Sequence, residues 1–332
     1  MDVSIARTEA VRESVALGVD IGGTKVAGGI VSLDGTVLFK TRLPMVANGD
    51  AAAGFAAVKA TIDAVLEAKP GVAQALVGIG ICSPGPLDPR TGVVINPPNV
   101  PCWRNFPLAA ETQKSFRLPV RVDNDANAAA LAETLWGAAQ GYQNVFYATL
   151  GTGIGTGIIF ANRIYHGRTG SAAEGGHVSI DYRGPTCACG KRGCIEALCS
   201  GPAIAQRARA RLSEPAAPSS MLRELRGRNP AELTAEDVGE AFRAGDPLAR
   251  EVLEQTADLL TVWLGNVVDL LEPDVIVIGG GAGELIGEFF DRIRERLPSW
   301  SINQRCGEIP IVKARYGADA GIAGAAALCR GQ

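Results

Sequence analysis

The sequence predicts an α/β protein with mixed sheets and two related lobes. Three observations carry that prediction. Apolar runs of strand length alternate with helical stretches along the chain. Glycine-rich turns join the strands that open each half. The strand–turn–strand unit around Asp20-Ile21-Gly22-Gly23-Thr24 also has a counterpart at Leu150-Gly151-Thr152-Gly153-Ile154, roughly 130 residues later. One repeat at that distance speaks for two lobes, not for a short-period solenoid.

The elements follow in order. VALGVDIGGTKVAGGIVSLDGTVLFKTRL reads as strand, Gly turn, strand, Asp34-Gly35 hairpin turn and strand. An Ala-rich segment from about Ala51 to Lys69 has helical apolar spacing and stops at Pro70-Gly71. Ala75 to Cys82 is a short continuous apolar run, the pattern of a buried strand. Ser83 to Pro101 reads as a Pro/Gly/Asn loop. LPVRVDND is a strand ending in acidic residues, and ANAAALAETLW a helix. A second Gly-rich hairpin spans Val145 to Tyr165. Asp246-Pro247 supplies an N-cap and first helical residue for a long apolar stripe that Pro273 ends. DVIVIGGGAG runs a buried strand into a triple-Gly turn, with helix again from about Glu284. IPIVKARYG is the last strand and ADAGIAGAAALC a small-residue helix.

Composition narrows the function. The 332 residues suffice for two domains. Net charge is −3 with no basic block, so a nucleic-acid footprint is absent. The one Arg-rich stretch, Gln206 to Arg228, also carries acids and reads as a solvated helix plus loop. No apolar run reaches membrane-span length, and the first residues lack the apolar region of a secretory signal. A cytoplasmic protein is expected, with no membrane partner. Its eight cysteines should then stay reduced.

Three clusters carry chemistry. Gly22, Gly23 and Thr24 lie between two strands, which excludes the Walker and Rossmann loops that hand over to a helix. Such a turn is either a tight hairpin that needs positive φ or an anion nest of backbone N–H groups. The repeat at Gly151, Thr152 and Gly153 favours phosphate gripped between two lobes, with Thr24 a donor, Lys25 a charge and Asp20 the holder of a metal-bound water. At the second cluster, Asn124 and Asp125 stand where a strand meets a helix, as caps or as a proton acceptor for a hydroxyl. Asp123 would simply finish the strand. The third cluster pairs Glu174 and His177 with Cys187, Cys189 and Cys194. A disulfide would strand one thiol, whereas a Cys₃His set suits a closed tetrahedral zinc site. His166 reads as a loop residue without such neighbours. Cys82, Cys102, Cys199, Cys306 and Cys329 are scattered and read as small buried apolar residues.

From Leu17 onward the chain resembles the ROK family of sugar kinases and sugar-responsive repressors. The resemblance rests on DIGGTK (20–25), SPGPLD (83–88), NPPNVPCW (96–103), NDANAA (124–129), LGTGIGTG (150–157), EGGH (174–177), CACGKRGCIE (187–196) and GGG (279–281). It implies a two-lobed actin/hexokinase-like (ribonuclease H-like) ATPase fold with an interlobe cleft. The expected small lobe is residues 1–122, completed by the C-terminal helix at about 315–332, and the large lobe 123–314. The resemblance also implies roles. Asp125 is the general base that takes a proton from the sugar's primary hydroxyl. Asn124, Glu174, His177 and Glu196 contact the sugar, joined by Asn99. The two Gly hairpins hold the phosphates of ATP with Mg²⁺, and Gly279, Gly280 and Gly281 let the adenosine part approach. Zinc is structural, holding His177 and Glu196 beside the sugar.

Glucose is the expected substrate, followed by N-acetylmannosamine or N-acetylglucosamine and then fructose, with polyphosphate as an alternative donor. The family's repressors carry a DNA-binding domain before the first Gly hairpin; the nineteen residues before Asp20 are expected to be too few for one. A sugar-binding protein without catalysis is the non-enzyme alternative. A homodimer or homotetramer is expected.

Overall fold

The computed structural model describes residues 14–224 and 229–330. The chain opens with β1 (Val15–Ile21), β2 (Lys25–Ser32) and β3 (Val37–Pro44). Helix α1 (Ala51–Ala68) starts where the Asp50 carboxylate accepts from the Ala53 N–H at 2.7 Å. Then come β4 (Leu76–Ser83), the two-residue strands β5 (Leu87–Asp88) and β6 (Val93–Val94), α2 (Leu108–Phe116), β7 (Val120–Asn124) and α3 (Asp125–Leu135). The segment expected as loop thus contains a small hairpin. The first sheet has the order β3-β2-β1-β4-β7, antiparallel across β1–β3 and parallel beyond.

The second half repeats this plan. It holds β8 (Val145–Leu150), β9 (Ile154–Phe160), β10 (Arg163–Ile164), α4 (Ile195–Cys199), α5 (Gly201–Ser213), α6 (Ala235–Arg243), α7 (Pro247–Leu271), β11 (Val275–Gly279), α8 (Gly281–Ile286), α9 (Phe290–Arg296), β12 (Ile311–Lys313) and α10 (Ala320–Ala327). Its sheet runs β10-β9-β8-β11-β12, a hairpin followed by two parallel strands. The repeat seen in two Gly turns is therefore a repeat of whole sheets. Helix α8 begins at Gly281, three residues before the expected start, because the turn needs only Gly280 with φ +83°.

Helix α7 is the beam of the second half. Asp246 caps it by accepting from Ala249 N–H, with Pro247 in the first turn. Its buried stripe includes Leu253, Leu260, Leu264 and Trp263, whose ring meets Phe146 of β8 edge-on at 5.5 Å. Beside it on α5, Arg207 contradicts the solvated reading of the Arg-rich stretch. It is half-buried, donating to the Val252 carbonyl and the Thr256 hydroxyl; positions 225–228 of that stretch lie outside the described residues.

Between the sheets lie two small-residue helices. Helix α10 packs on β1 and β4 of the first sheet, α3 packs on β8 and β9 of the second, and the two helices pack on each other. Their alanines share one apolar cluster with both sheets. The approach is close because glycines line it. A Cβ at Gly80 would stand 1.7 Å from the Ala325 carbonyl oxygen, and one at Gly324 would stand 2.7 Å from Ala128 backbone. Among the described residues no helix is long and apolar enough to cross a membrane.

Gly80→Ala should force α10 off the sheet. The expected loss is about 3 kcal/mol or more, at the upper end of overpacking costs. A lowered denaturant midpoint with unchanged m-value would establish it; an unchanged midpoint would contradict this packing.

Candidate functional site

The site grows from the corner where β7 becomes α3. Asn124 caps the helix, its side-chain oxygen accepting from Ala126 N–H at 2.9 Å. Asp125 is the first helical residue and its carboxylate accepts from the same N–H at 2.8 Å. The cap therefore aims Asp125 outward from a helix start. Its carboxylate reaches solvent, so the site is open. Yet enough protein surrounds it that desolvation holds its pKa above the usual carboxylate range, against the lowering effect of its backbone hydrogen bonds and Asn124.

Asp20, near the end of β1, lies close enough to Asp125 to feel its charge. Burial, and next the charge of Asp125, push its pKa up to about 6, while Arg42 and Lys25 oppose the rise. Room for this carboxylate comes from Gly321, where a Cβ would lie 2.3 Å from Asp20 Cγ. Two mutually repelling carboxylates with raised pKa values are an under-neutralised pair. A hard divalent cation such as Mg²⁺, which takes oxygen ligands, fits that deficit.

Both Gly turns are where the sequence placed them, and neither is a hairpin that needs positive φ. None of Gly22, Gly23, Gly151 and Gly153 has positive φ. Gly22 N–H closes the first turn on the Lys25 carbonyl at 2.9 Å. Close approach explains two of the missing side chains: a Cβ at Gly23 would meet the Asn99 carbonyl oxygen at 2.7 Å, and one at Gly153 would meet Glu196 Oε2 at 2.5 Å, whereas Gly151 has open space around it. Glu196 Oε2 in turn accepts from Ile154 N–H at 2.9 Å. Thr24 and Lys25 are exposed beside the first turn.

Two cavities adjoin these elements. The larger, about 1040 Å³, is bounded by Gly151, Thr152 and Gly281, with Phe242, Arg243 and Arg250 on its far side. Gly279 and Gly280 do not line it. Gly279 packs against Ala314 and Tyr147, and Gly280 lets the Leu150 backbone approach. The smaller, about 80 Å³, brings together Asn124, Asp125 and Glu174. Asn99, His177 and Glu196 stand outside its wall.

Glu174 precedes a single turn, Gly175–His177, pinned from two sides. Gly175 N–H donates to Thr156 Oγ1 at 2.8 Å, and Trp263 Nε1 donates to the Gly175 carbonyl at 3.2 Å. His177, Cys187, Cys189 and Cys194 converge, with all their ligand atoms within 4.8 Å of one another. The Cys189–Cys194 sulfur separation is 3.7 Å. That is far from a disulfide at about 2.05 Å and close to the about 3.8 Å that two sulfurs on one tetrahedral zinc require. The donor set and spacing therefore fit zinc. His177 points Nδ1 at Cys187, 3.7 Å away, which leaves Nε2 for another partner. Glu196 Oε1 lies 3.8 Å from His177 Nδ1, so the cluster, Glu196 and the second Gly turn are one unit.

Two residues escaped the sequence reading. His166 is not an isolated loop residue: its Nε2 donates to Asp123 Oδ2 at 2.6 Å. Asp123 does more than finish a strand, because it is buried and takes that bond along with those from Asn124 N–H and Asn127 Nδ2. The only available signal was an acid on a buried strand, which demands a partner without saying where it lies.

The comparisons agree on a family. The ROK family profile matches residues 16–332. A glucokinase of Thermotoga maritima is 36% identical over 318 residues, covering 95% of this chain and 96% of its own. A ROK family glucokinase from Streptomyces griseus, solved in complex with glucose and AMPPNP, has a TM-score of 0.79 at 34% identity, covering 96% of this chain and 99% of that one. A ROK family transcriptional regulator, homolog of the E. coli MLC protein, has a TM-score of 0.85 at 29% identity, covering 96% of this chain and 78% of its own. With the family profile spanning all but the first residues and the two-lobed sugar-kinase architecture in place, the chain belongs to the ROK family.

Proposed function

We propose that this protein is an ATP-dependent hexose kinase that phosphorylates the 6-hydroxyl of glucose. The observation that carries the reading is Asp125, a carboxylate of raised pKa aimed by a helix cap into a cavity shared with Asn124 and Glu174. A regulator needs a sugar pocket but no proton acceptor in it. The glucokinase relatives support the same choice.

Each residue then has a task. Asp125 takes the proton of the sugar hydroxyl as that oxygen attacks the γ-phosphorus of ATP and ADP leaves. Its raised pKa makes its carboxylate the better proton acceptor. Asn124, Glu174, His177 and Glu196 hold ring hydroxyls, with Asn99 at the rim. Backbone N–H groups of Gly22 and Gly23, the Thr24 hydroxyl and Lys25 meet the phosphates from one side, and Gly151, Thr152 and Gly153 from the other. The large cavity beside Gly281 takes the adenosine part. Mg²⁺, held near Asp20, would supply charge neutralisation for the transferring group, the main catalytic demand of phosphoryl transfer.

The lobes in this reading are 1–122 with the C-terminal helix, and 123–314, closing on substrate to exclude water. Structural zinc on His177, Cys187, Cys189 and Cys194 holds His177 and Glu196 in place. N-acetylmannosamine or N-acetylglucosamine, then fructose, are the alternative substrates. The working assembly is a homodimer or homotetramer in the cytoplasm.

Given Mg-ATP and a panel of hexoses, the protein should release ADP with glucose. Asp125→Asn should lower kcat by about 10²- to 10⁴-fold, the span of a lost general base. A flat panel with well-folded protein would contradict the kinase reading. Elemental analysis should find about one zinc per chain, lost in Cys194→Ala together with hexose affinity. Three freely titrating thiols in a metal-free, fully active protein would contradict the zinc assignment.

A further inference from the structure

We propose that His166 is a positioning residue for the sugar. Through Asp123 and Asn127 it ties the loop ending in Glu174 to the corner that carries Asn124 and Asp125. The inference rests on the hexose-kinase reading and adds a residue to it.

Asp123 is 4% exposed, and its sheet neighbour on β4 is the uncharged Cys82. The sheet therefore offers it no cation. The partner arrives from the segment that follows β10, 43 residues onward, as His166 Nε2 at 2.6 Å. Asp123 Oδ1 accepts twice more, from Asn124 N–H at 2.7 Å and from Asn127 Nδ2 at 3.1 Å. One carboxylate thus joins three things: the backbone of the capping residue, a buried amide one helical turn on, and the segment that follows β10.

That segment matters because it builds the sugar side of the small cavity. Gly170 to Glu174 form one wall of the 80 Å³ space, while Asn124, Asp125 and Asn127 form another. The segment packs on neighbouring backbone at Gly170, which sits against Pro89 and the Leu87 carbonyl. His166 adds a hydrogen-bonded tie at its beginning and Thr156, which donates to the Ala173 carbonyl, ties its end.

Asn127 supplies an independent sign of a ligand. It is 3% exposed and lines the cavity. Its Nδ2 is held by Asp123, yet its Oδ1 has no hydrogen-bond partner among the described residues. A buried amide oxygen left without a donor is costly, so it should find one when the site fills. A sugar hydroxyl, or a water bridging to it, is such a donor. By fixing the nitrogen, Asp123 decides which end of the amide faces the cavity, and His166 decides where Asp123 stands. Removing the His166 bond would leave a buried carboxylate served only by neutral donors and would free the Glu174 loop. None of these groups touches the large cavity or the Cys₃His cluster. The effect should therefore fall on sugar affinity and spare the nucleotide.

The test compares wild type with His166→Ala, His166→Met and His166→Gln, reading KM for hexose, KM for ATP and thermal midpoint. Gln keeps an amide donor at the reach of Nε2; Met keeps bulk without a donor. Loss of a hydrogen bond to a buried charge should raise KM for hexose about 10- to 100-fold in Ala and Met, with KM for ATP within about twofold and Gln within about threefold of wild type. Should Ala not fold, the Met–Gln contrast decides the matter alone. An active wild type whose Met variant keeps its hexose KM, or raises both KM values together, would overturn this inference and leave the kinase reading standing. A wild type that binds glucose calorimetrically without turnover would overturn the kinase reading; the same contrast, read as hexose Kd, would then test the positioning role.

Discussion

The packing of α3 against α10 is the constraint on which the rest of the molecule depends. Helix α10 is built mainly from alanine and glycine, α3 is rich in alanine, and both lie between the two sheets. Large side chains there would gain more hydrophobic area, at about 25 cal/mol per Å². They would also hold the sheets apart. Small residues give up that area and bring backbones together: Gly324 on Ala128, Gly80 on Ala325, and Gly157 of β9 on Ala126. The deeper cores around Trp103 and Trp263 supply conventional burial on either side. The shared small-residue layer instead fixes position. Asp125 begins α3, so its place relative to both Gly turns is set by this layer.

Electrostatics then separates three neighbouring acids. Asp123 is buried and given three donors, one of them His166. Asp20 receives partial relief from Arg42 and Lys25 and keeps a pKa raised to about 6. Asp125 faces open space with only helix-start donors, and burial still raises it. The acid that is satisfied within the protein has a structural duty. Of the two that are not satisfied, Asp125 lines the small cavity and Asp20 lies close enough to feel its charge, where a cation, phosphates and a hydroxyl would meet in the proposed mechanism. Incomplete neutralisation of this kind is what a reactive site requires and what a stable core avoids.

Much of this was legible in the chain, and the exceptions have physical reasons. Helix and strand boundaries followed apolar period and punctuation, because Asp50, Asp246, Pro70 and Pro273 act locally. The Cys₃His set was legible because ligand chemistry is narrow and the spacing short. The Gly turns were located correctly, but the close approaches at them were not legible. Gly23 and Gly153 answer to Asn99 and Glu196, which approach from distant segments, and local φ rules contain nothing of that. His166 and Asp123 were unreadable for the same reason, since a strand residue and a loop residue 43 positions apart have no local signature. Arg207 misled because an arginine among charged neighbours is usually solvated, whereas this one caps carbonyl and hydroxyl groups of α7.

In the proposed mechanism, small-residue contacts around α3 place Asp125 for proton transfer. The most direct measurement is kcat of Gly157→Ala, whose added methyl would stand 2.6 Å from the Ala126 carbonyl oxygen, one residue from Asp125. A displacement of the helix start by a fraction of an ångström to an ångström should lower kcat by about 100-fold in a variant that remains folded. A folded Gly157→Ala protein with wild-type kcat would contradict the claim.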